Sequence, residues 1–211
     1  MKIAQVWKYA TCLTFPALAL ALLALSASAA ATTPSEVEKS EGLAQLDRTR
    51  AGVIAATMGL SEAQWKFKPE PGRWSVAEVL EHIELAEDML FEHTSKKVMQ
   101  APAGKVDRDY KSVDQMVLSA IADRTHKARA PEPLMPKGRG SPQEALDHFL
   151  SSRERTMEFL RVTPDLREHV VDSPLGQPLD AYQWLLFISA HSERHTKQIL
   201  EVKSDPNFPK K

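Results

Sequence analysis

The sequence predicts an all-α protein, a four-helix bundle with additional short helices, and three observations carry that expectation. Apolar residues recur at three-four spacing over long stretches, which is the period of an amphipathic helix. Ahead of those stretches Ser, Thr or Asp is followed three residues later by Glu or Gln, the reciprocal cap that satisfies free backbone N–H groups at a helix start. Strand signals are nearly absent.

Taken in order, Thr33 with Glu36, and Pro34 at the first helical position, open a helix from about Pro34 to Met58 that Gly59 closes. Ser61 with Gln64 starts a short turn of helix near Glu62–Phe67. Pro69-Glu70-Pro71-Gly72 then separates it from a second long helix, expected from Val76 to about Gln100 behind the Ser75/Glu78 cap. Ser112 with Gln115 marks a further helix from Val113 to about Ala128, and the segment from Pro131 to Gly140, with its prolines and glycines, reads as a loop. Ser141 with Glu144, and Pro142 at the first position, begin a helix to about Val162. A loop rich in proline follows through Pro178, and Asp180 with Gln183 opens the last helix, Ala181 to about Lys203. The product is an antiparallel bundle of four principal helices with extra helical material between the second and third.

The first 29 residues are read as a signal peptide and set apart from the fold. Lys2 and Lys8 precede an apolar run from Leu13 to Leu25, and Ala27-Ser28-Ala29 or Ala29-Ala30-Ala31 supplies a small-residue cleavage site. The run is short against the roughly 20 apolar residues of a spanning helix, so no stable membrane anchor is expected after cleavage. The mature domain is taken as residues 30–205, with a C-terminal tail at 206–211. Export to the periplasm or the medium follows. The only cysteine, Cys12, lies before the apolar run in a context unlike a lipobox, so the mature chain offers no disulfide and no thiolate.

Of 211 residues 43% are hydrophobic and 26% charged, a globular profile for one domain of ordinary size. Cleavage at residue 29 leaves 25 basic against 28 acidic residues, a formal charge of −3. With no basic excess to neutralise phosphates, nucleic acid is not the expected partner; a small-molecule substrate or ligand is.

The chemistry is sought among polar residues on apolar stripes. On the second long helix Val76, Val79, Leu80, Ile83, Ala86 and Leu90 form the buried stripe, and His82 stands at its edge. On the last helix Trp184, Leu185, Ile188, Ile199 and Val202 do the same, and His191 and His195 continue the line of Ile188. Residues four apart stack one turn above the other, so these two imidazoles can converge on one ion, and a third nitrogen from a facing helix would complete a three-histidine site. Neutral imidazoles suit a divalent zinc, nickel or iron, and three protein ligands with an open position are how a catalytic zinc site is built. Against this stands the plainer reading of packed core histidines, the commoner one for His82 taken alone.

Other residues have simpler roles. Trp74 is read as a staple on Val79, Glu78 as the partner of the Ser75 cap in preference to a general base, and Glu193 as turned off the histidine face. The order His-Ser-Glu-Arg-His differs from the His-Glu-x-x-His of zinc proteases. Gln198, seven positions after His191, returns to the same face and can hold a ligand imidazole or make an ordinary interhelical bond. His93, His126, His148 and His169 are expected at the surface; His93 lies about 16 Å along the helix from His82, too far to share its ion.

Leu60-Ser61-Glu62-Ala63-Gln64, Pro71-Gly72-Arg73-Trp74-Ser75-Val76-Ala77-Glu78-Val79-Leu80-Glu81-His82, Ala181-Tyr182-Gln183-Trp184 and the run from His191 to Ile199 together resemble the DinB-like superfamily. The resemblance spans nearly the whole mature chain. It implies a bundle of up-down-down-up type, often a homodimer, carrying one divalent metal on a histidine triad that falls here on His82, His191 and His195. Characterised relatives include thiol S-transferases, relatives of maleylpyruvate isomerase and proteins regarded as metal-dependent hydrolases.

A dipositive ion on three neutral ligands brings bound water toward a pKa of about 7. Cellular thiols are concentrated in the cytoplasm, so export weighs against thiol transfer. The expected function is therefore a metal-dependent hydrolase activating water, with a thiol S-transferase or a non-catalytic metal- or ligand-binding module as alternatives.

Overall fold

The computed structural model describes residues 33–103, 109–125 and 127–210. The signal-peptide segment, Cys12 and His126 lie outside them. Four long helices make the bundle: α1 (Glu36–Thr57), α3 (Val76–Glu92), α5 (Pro142–Val162) and α6 (Ala181–Lys203). Shorter α2 (Glu62–Lys66) and α4 (Tyr110–Ala122) pack against them.

The caps set most boundaries. Ser61, Ser75, Ser141 and Asp180 each accept the N–H three residues on, and the Glu or Gln at that position reaches back to the cap N–H. Two expected starts shift. Helix α1 is capped by Ser35 with Glu38, not Thr33 with Glu36; the Glu38 carboxylate is also held by Arg167, which favours the later of two overlapping boxes. Helix α4 starts behind Asp109, whose carboxylate accepts from both the N–H and the hydroxyl of Ser112. It stops at Ala122, well short of Ala128, where the Asp123 carboxylate accepts from the N–H and hydroxyl of Thr125, a local turn that competes with the helix.

The helix expected to reach Gln100 changes character: after Glu92 it widens into a π-helical turn, His93–Val98. There the hydroxyls of Thr94 and Ser95 bond the carbonyls of Leu90 and Phe91 and compete with the regular ladder. The loop before α6 also holds structure. Val170–Asp172 (β1) pairs antiparallel with Pro178–Asp180 (β2), Val171 opposite Leu179. Nor is the C-terminal segment a free tail: Phe208 packs edge-on against Phe67 at 5.5 Å and the Pro209 carbonyl accepts from Gln64.

Directions follow from the pairs that touch. The start of α1 meets the start of α6 (Tyr182 Oη to the Glu38 carbonyl) and the ends also meet (Lys203 to the Ala56 carbonyl), so these two run parallel. Helices α3 and α5 run parallel to each other, with Glu84 beside His148 and Phe91 beside Phe159. Helix α3 opposes α6, His82 meeting His195 and His93 meeting Trp184. The order is up-down-down-up.

The core divides into two apolar clusters. One gathers Leu46, Leu90, Leu160, Leu166, Leu179 and Leu185 around the starts of α1 and α6; the other gathers Val53, Val79, Leu80, Ile83, Phe149 and Ile199 around the start of α3. Each large side chain so buried contributes about 1.5–3 kcal/mol. Between them lies a buried ion pair that sequence periodicity missed. Arg153 donates through Nε and Nη2 to both oxygens of Glu87, through Nη1 to the Leu46 carbonyl and the Thr49 hydroxyl, and through Nη2 to Ser192. All four long helices meet on that one guanidinium.

Candidate metal centre

His82 lies on the second turn of α3, within the cluster of Val79, Leu80 and Ile83, and His195 on α6 one turn before Ile199. The antiparallel crossing of α3 and α6 brings them together. His82 is 3% and His195 8% exposed, and His191, half-buried, is the member with surface access. Ring centres stand 4.3 Å apart for His82 and His195, 4.4 Å for His191 and His195 and 5.1 Å for His82 and His191. One nitrogen from each ring lies within 4.8 Å of the other two. The sequence spacing thus brings the three imidazoles to one point.

The proton positions follow from the outer partners. His82 Nδ1 is 2.8 Å from the Leu134 carbonyl oxygen, which only accepts, so Nδ1 carries the hydrogen. His195 Nδ1 is 2.8 Å from Gln198 Oε1; that atom also receives Arg124 Nη1, which only donates, and is therefore the amide oxygen. Both inner nitrogens are left with lone pairs, and they face each other at 3.1 Å.

Burial holds the rings neutral. It lowers the His82 pKa against a smaller opposing effect of the Leu134 bond. Burial, with the neighbouring His82, brings His195 to about 3. His191 falls well below the ordinary value through burial and the nearby His195, His82 and Arg194. Three neutral imidazoles with two opposed lone pairs fit a cation: ligand nitrogens about 2.0–2.1 Å from a tetrahedral ion stand about 3.3 Å apart.

The surroundings refine several expectations. Trp74 packs against the cluster around the start of α3 and also lies on the His82 ring, centres 4.9 Å apart. Glu78 serves the Ser75 cap and pairs with Lys68. Glu193 pairs with Arg48 and Lys197 beside a groove of about 440 Å³ that none of the three histidines lines. Gln198 takes the holding role. Arg124 grips Glu201 through two bonds and supports Gln198.

Two surface histidines need correction. His93 packs on Trp184 at 4.4 Å, its Nε2 buried without a hydrogen-bond partner among the described residues, and half-buried His169 donates to the Ala101 carbonyl. His148 is exposed as expected.

Sequence reasoning also missed what holds the Pro131–Gly140 loop. It docks on the site: Leu134 is buried, its carbonyl takes the His82 proton, and Glu81 accepts the N–H groups of Lys137, Gly138 and Arg139. The prolines and glycines announced a loop but gave no sign of where it would land.

An up-down-down-up bundle with three histidines converging from its second and fourth long helices defines a class with a polar site between two antiparallel rods. Residues 45–199 match the DinB superfamily, and the chain belongs to it. It is 28% identical over 156 residues to the uncharacterized protein YuaE of Bacillus subtilis (strain 168), covering 69% of this chain and 86% of that one. Among solved structures it is similar to YfiT from Bacillus subtilis, described as a probable metal-dependent hydrolase with an unusual four-helix bundle topology. The TM-score is 0.52 at 15% identity, covering 84% of this chain and 92% of the other.

Proposed function

We propose that this protein binds one divalent metal ion through His82, His191 and His195 and hydrolyses a small-molecule substrate there, after export from the cytoplasm. The observation that carries the metal reading is the pair of proton-free Nε2 atoms opposed at 3.1 Å, with His191 in reach. The likeness to YfiT, described as a probable metal-dependent hydrolase, supports the reaction class. The donor set of neutral imidazoles suits zinc, nickel or iron.

When bound by three neutral ligands, such an ion lowers the pKa of water toward about 7 and polarises a carbonyl. The chain's own residues do the rest. Leu134 and Gln198 fix the tautomers of His82 and His195, so that both inner nitrogens present lone pairs. Trp74 covers one face of His82. His191, the half-buried member, marks the side from which a substrate enters.

Elemental analysis of protein purified without an affinity tag tests the metal reading. About one divalent ion per chain is expected, lost in His82→Ala, His191→Ala and His195→Ala; unchanged loading in all three would reject the assignment. Ester, amide and lactone panels then read hydrolysis, which should vanish with chelator and return with metal. Turnover confined to electrophile-plus-thiol mixtures would make it a thiol transferase, and tight ligand binding without turnover a binding module. N-terminal sequencing of protein from the extracytoplasmic fraction tests export, with a new terminus near Ala29 or Ala31 expected.

A further inference from the structure

Glu81 and His82 are neighbours on α3, and both reach the same loop. Glu81 is 5% exposed. Its Oε1 accepts from the N–H groups of Lys137 and Arg139 at 3.0 and 3.3 Å, and its Oε2 from that of Gly138 at 2.9 Å. Three consecutive amides thus point at one carboxyl group, an arrangement that needs the positive φ of +69° at Gly138. Three residues upstream of that clamp, Leu134 ends a 3₁₀ turn (Glu132–Leu134), and its carbonyl receives the His82 Nδ1 proton at 2.8 Å. A carboxyl group on one residue therefore holds down the segment that orients the imidazole of the next.

We propose that Glu81 is a positioning residue for the metal centre: by pinning residues 137–139 it keeps the Leu134 carbonyl where His82 must donate from Nδ1 and direct Nε2 at His195. This rests on the three-histidine reading above. A bare His82 has two tautomers, and only the one with the proton on Nδ1 leaves the inner nitrogen able to bind a cation. Partners of ligand histidines typically govern metal affinity by 10- to 100-fold, and Glu81 acts one bond further out by fixing such a partner. Glutamine at this position keeps the shape but replaces one acceptor oxygen by an NH₂ that opposes the loop amides.

The test compares wild type with Glu81→Gln, Gly138→Ala and Gly176→Ala. Gly138→Ala strains the clamp itself without touching the site, and Gly176→Ala strains an equally left-handed turn in the distant hairpin, at φ +76°. Zinc affinity is read by competition with a chromophoric chelator. The His82 tautomer is read in metal-free protein by imidazole ¹⁵N shifts. Glu81→Gln should weaken zinc binding by about 10-fold or more and turn His82 from a single Nδ1–H tautomer into a mixture. Gly138→Ala should move both readings the same way by less, and it carries the test alone should Glu81→Gln not fold. Gly176→Ala should leave both unchanged. Affinity within twofold of wild type and an unchanged tautomer in the clamp variants would overturn the proposal, as would an equal loss in Gly176→Ala. If wild type takes up no zinc, the metal reading fails and the ¹⁵N measurement alone decides the clamp.

Discussion

Five residues apart on α3, Glu87 and His82 enter the same core and are treated in opposite ways. Around Glu87 every demand is met: the five N–H donors of an arginine are matched by two carboxylate oxygens, one carbonyl and two hydroxyls, and the Thr156 hydroxyl adds a further bond to Glu87 Oε1. Around His82, among the described residues, only the outer nitrogens are matched, and the inner ones face each other. A saturated polar cluster is cement between helices, whereas one whose remaining atoms are all of one kind is shaped for something of the opposite kind. The difference lies in what the donors and acceptors leave over, since His82 and His195 are buried as Glu87 and Arg153 are.

The comparison is most sharply tested by breaking the saturated side. Arg153→Met leaves Glu87 buried and unpaired, and should cost about 3–5 kcal/mol of stability, read from urea unfolding midpoints. Adding Glu87→Leu should recover most of that loss, because two apolar residues have no charge left to strand. On the other side the order reverses. His195→Ala in metal-free protein should cost far less than Arg153→Met, since it also removes an opposed lone pair. Zinc at about 100 times its dissociation constant should stabilise wild type by about 2.7 kcal/mol and leave His195→Ala unmoved. Equal metal-free losses for the two positions would erase the distinction.

The two clusters were unequally legible in the sequence. The histidines stood out because His191 and His195 repeat at four and His82 stands at the edge of the apolar stripe of Val76, Val79, Ile83 and Ala86. Helix starts were legible because a cap is local, so that four of the expected reciprocal pairs stand where they were read. Arg153 was legible in principle: it lies four residues from Phe149 and seven from Leu160, a charge on a buried line. Nothing local says that its partner is Glu87, because ion pairing across helices depends on their crossing. His93 carried a similar warning: it stands eleven residues, three helical turns, beyond His82, on the line of its stripe, and was expected at the surface. The clamp at Glu81 was beyond reach because it joins segments whose meeting is decided by the packed bundle, and the strands of the β1–β2 hairpin, three residues each, are too short to show an alternation.

Acid separates the clusters again. His82, His191 and His195 have folded-state values below their ordinary ones. A histidine with a depressed folded pKa binds more protons unfolded, so its stability contribution is whole above about 6.5 and is lost as pH falls toward the folded value. For His195, with a folded value of about 3, the loss between pH 7.5 and pH 5 is about 2 kcal/mol. Metal-free wild type should therefore show urea midpoints that fall over this interval, and His195→Ala a visibly flatter profile. Parallel profiles would mean that the ring is not held neutral by its surroundings.

The smallest expected effect probes the boundary between the two kinds of cluster. Gln198 holds His195 from outside and is itself held by Arg124, a saturated contact serving an unsaturated one. Gln198→Leu should lower metal-free stability by about 1–2 kcal/mol, the net worth of the two hydrogen bonds that its amide oxygen accepts from His195 and Arg124. It should nevertheless weaken zinc binding by about 10-fold, because the His195 tautomer is then free to turn its proton inward. A large stability loss with unchanged zinc affinity would make Gln198 an interhelical strut. The expected pattern makes it part of the centre, since an outer hydrogen bond contributes little to the fold and decides which nitrogen the core presents.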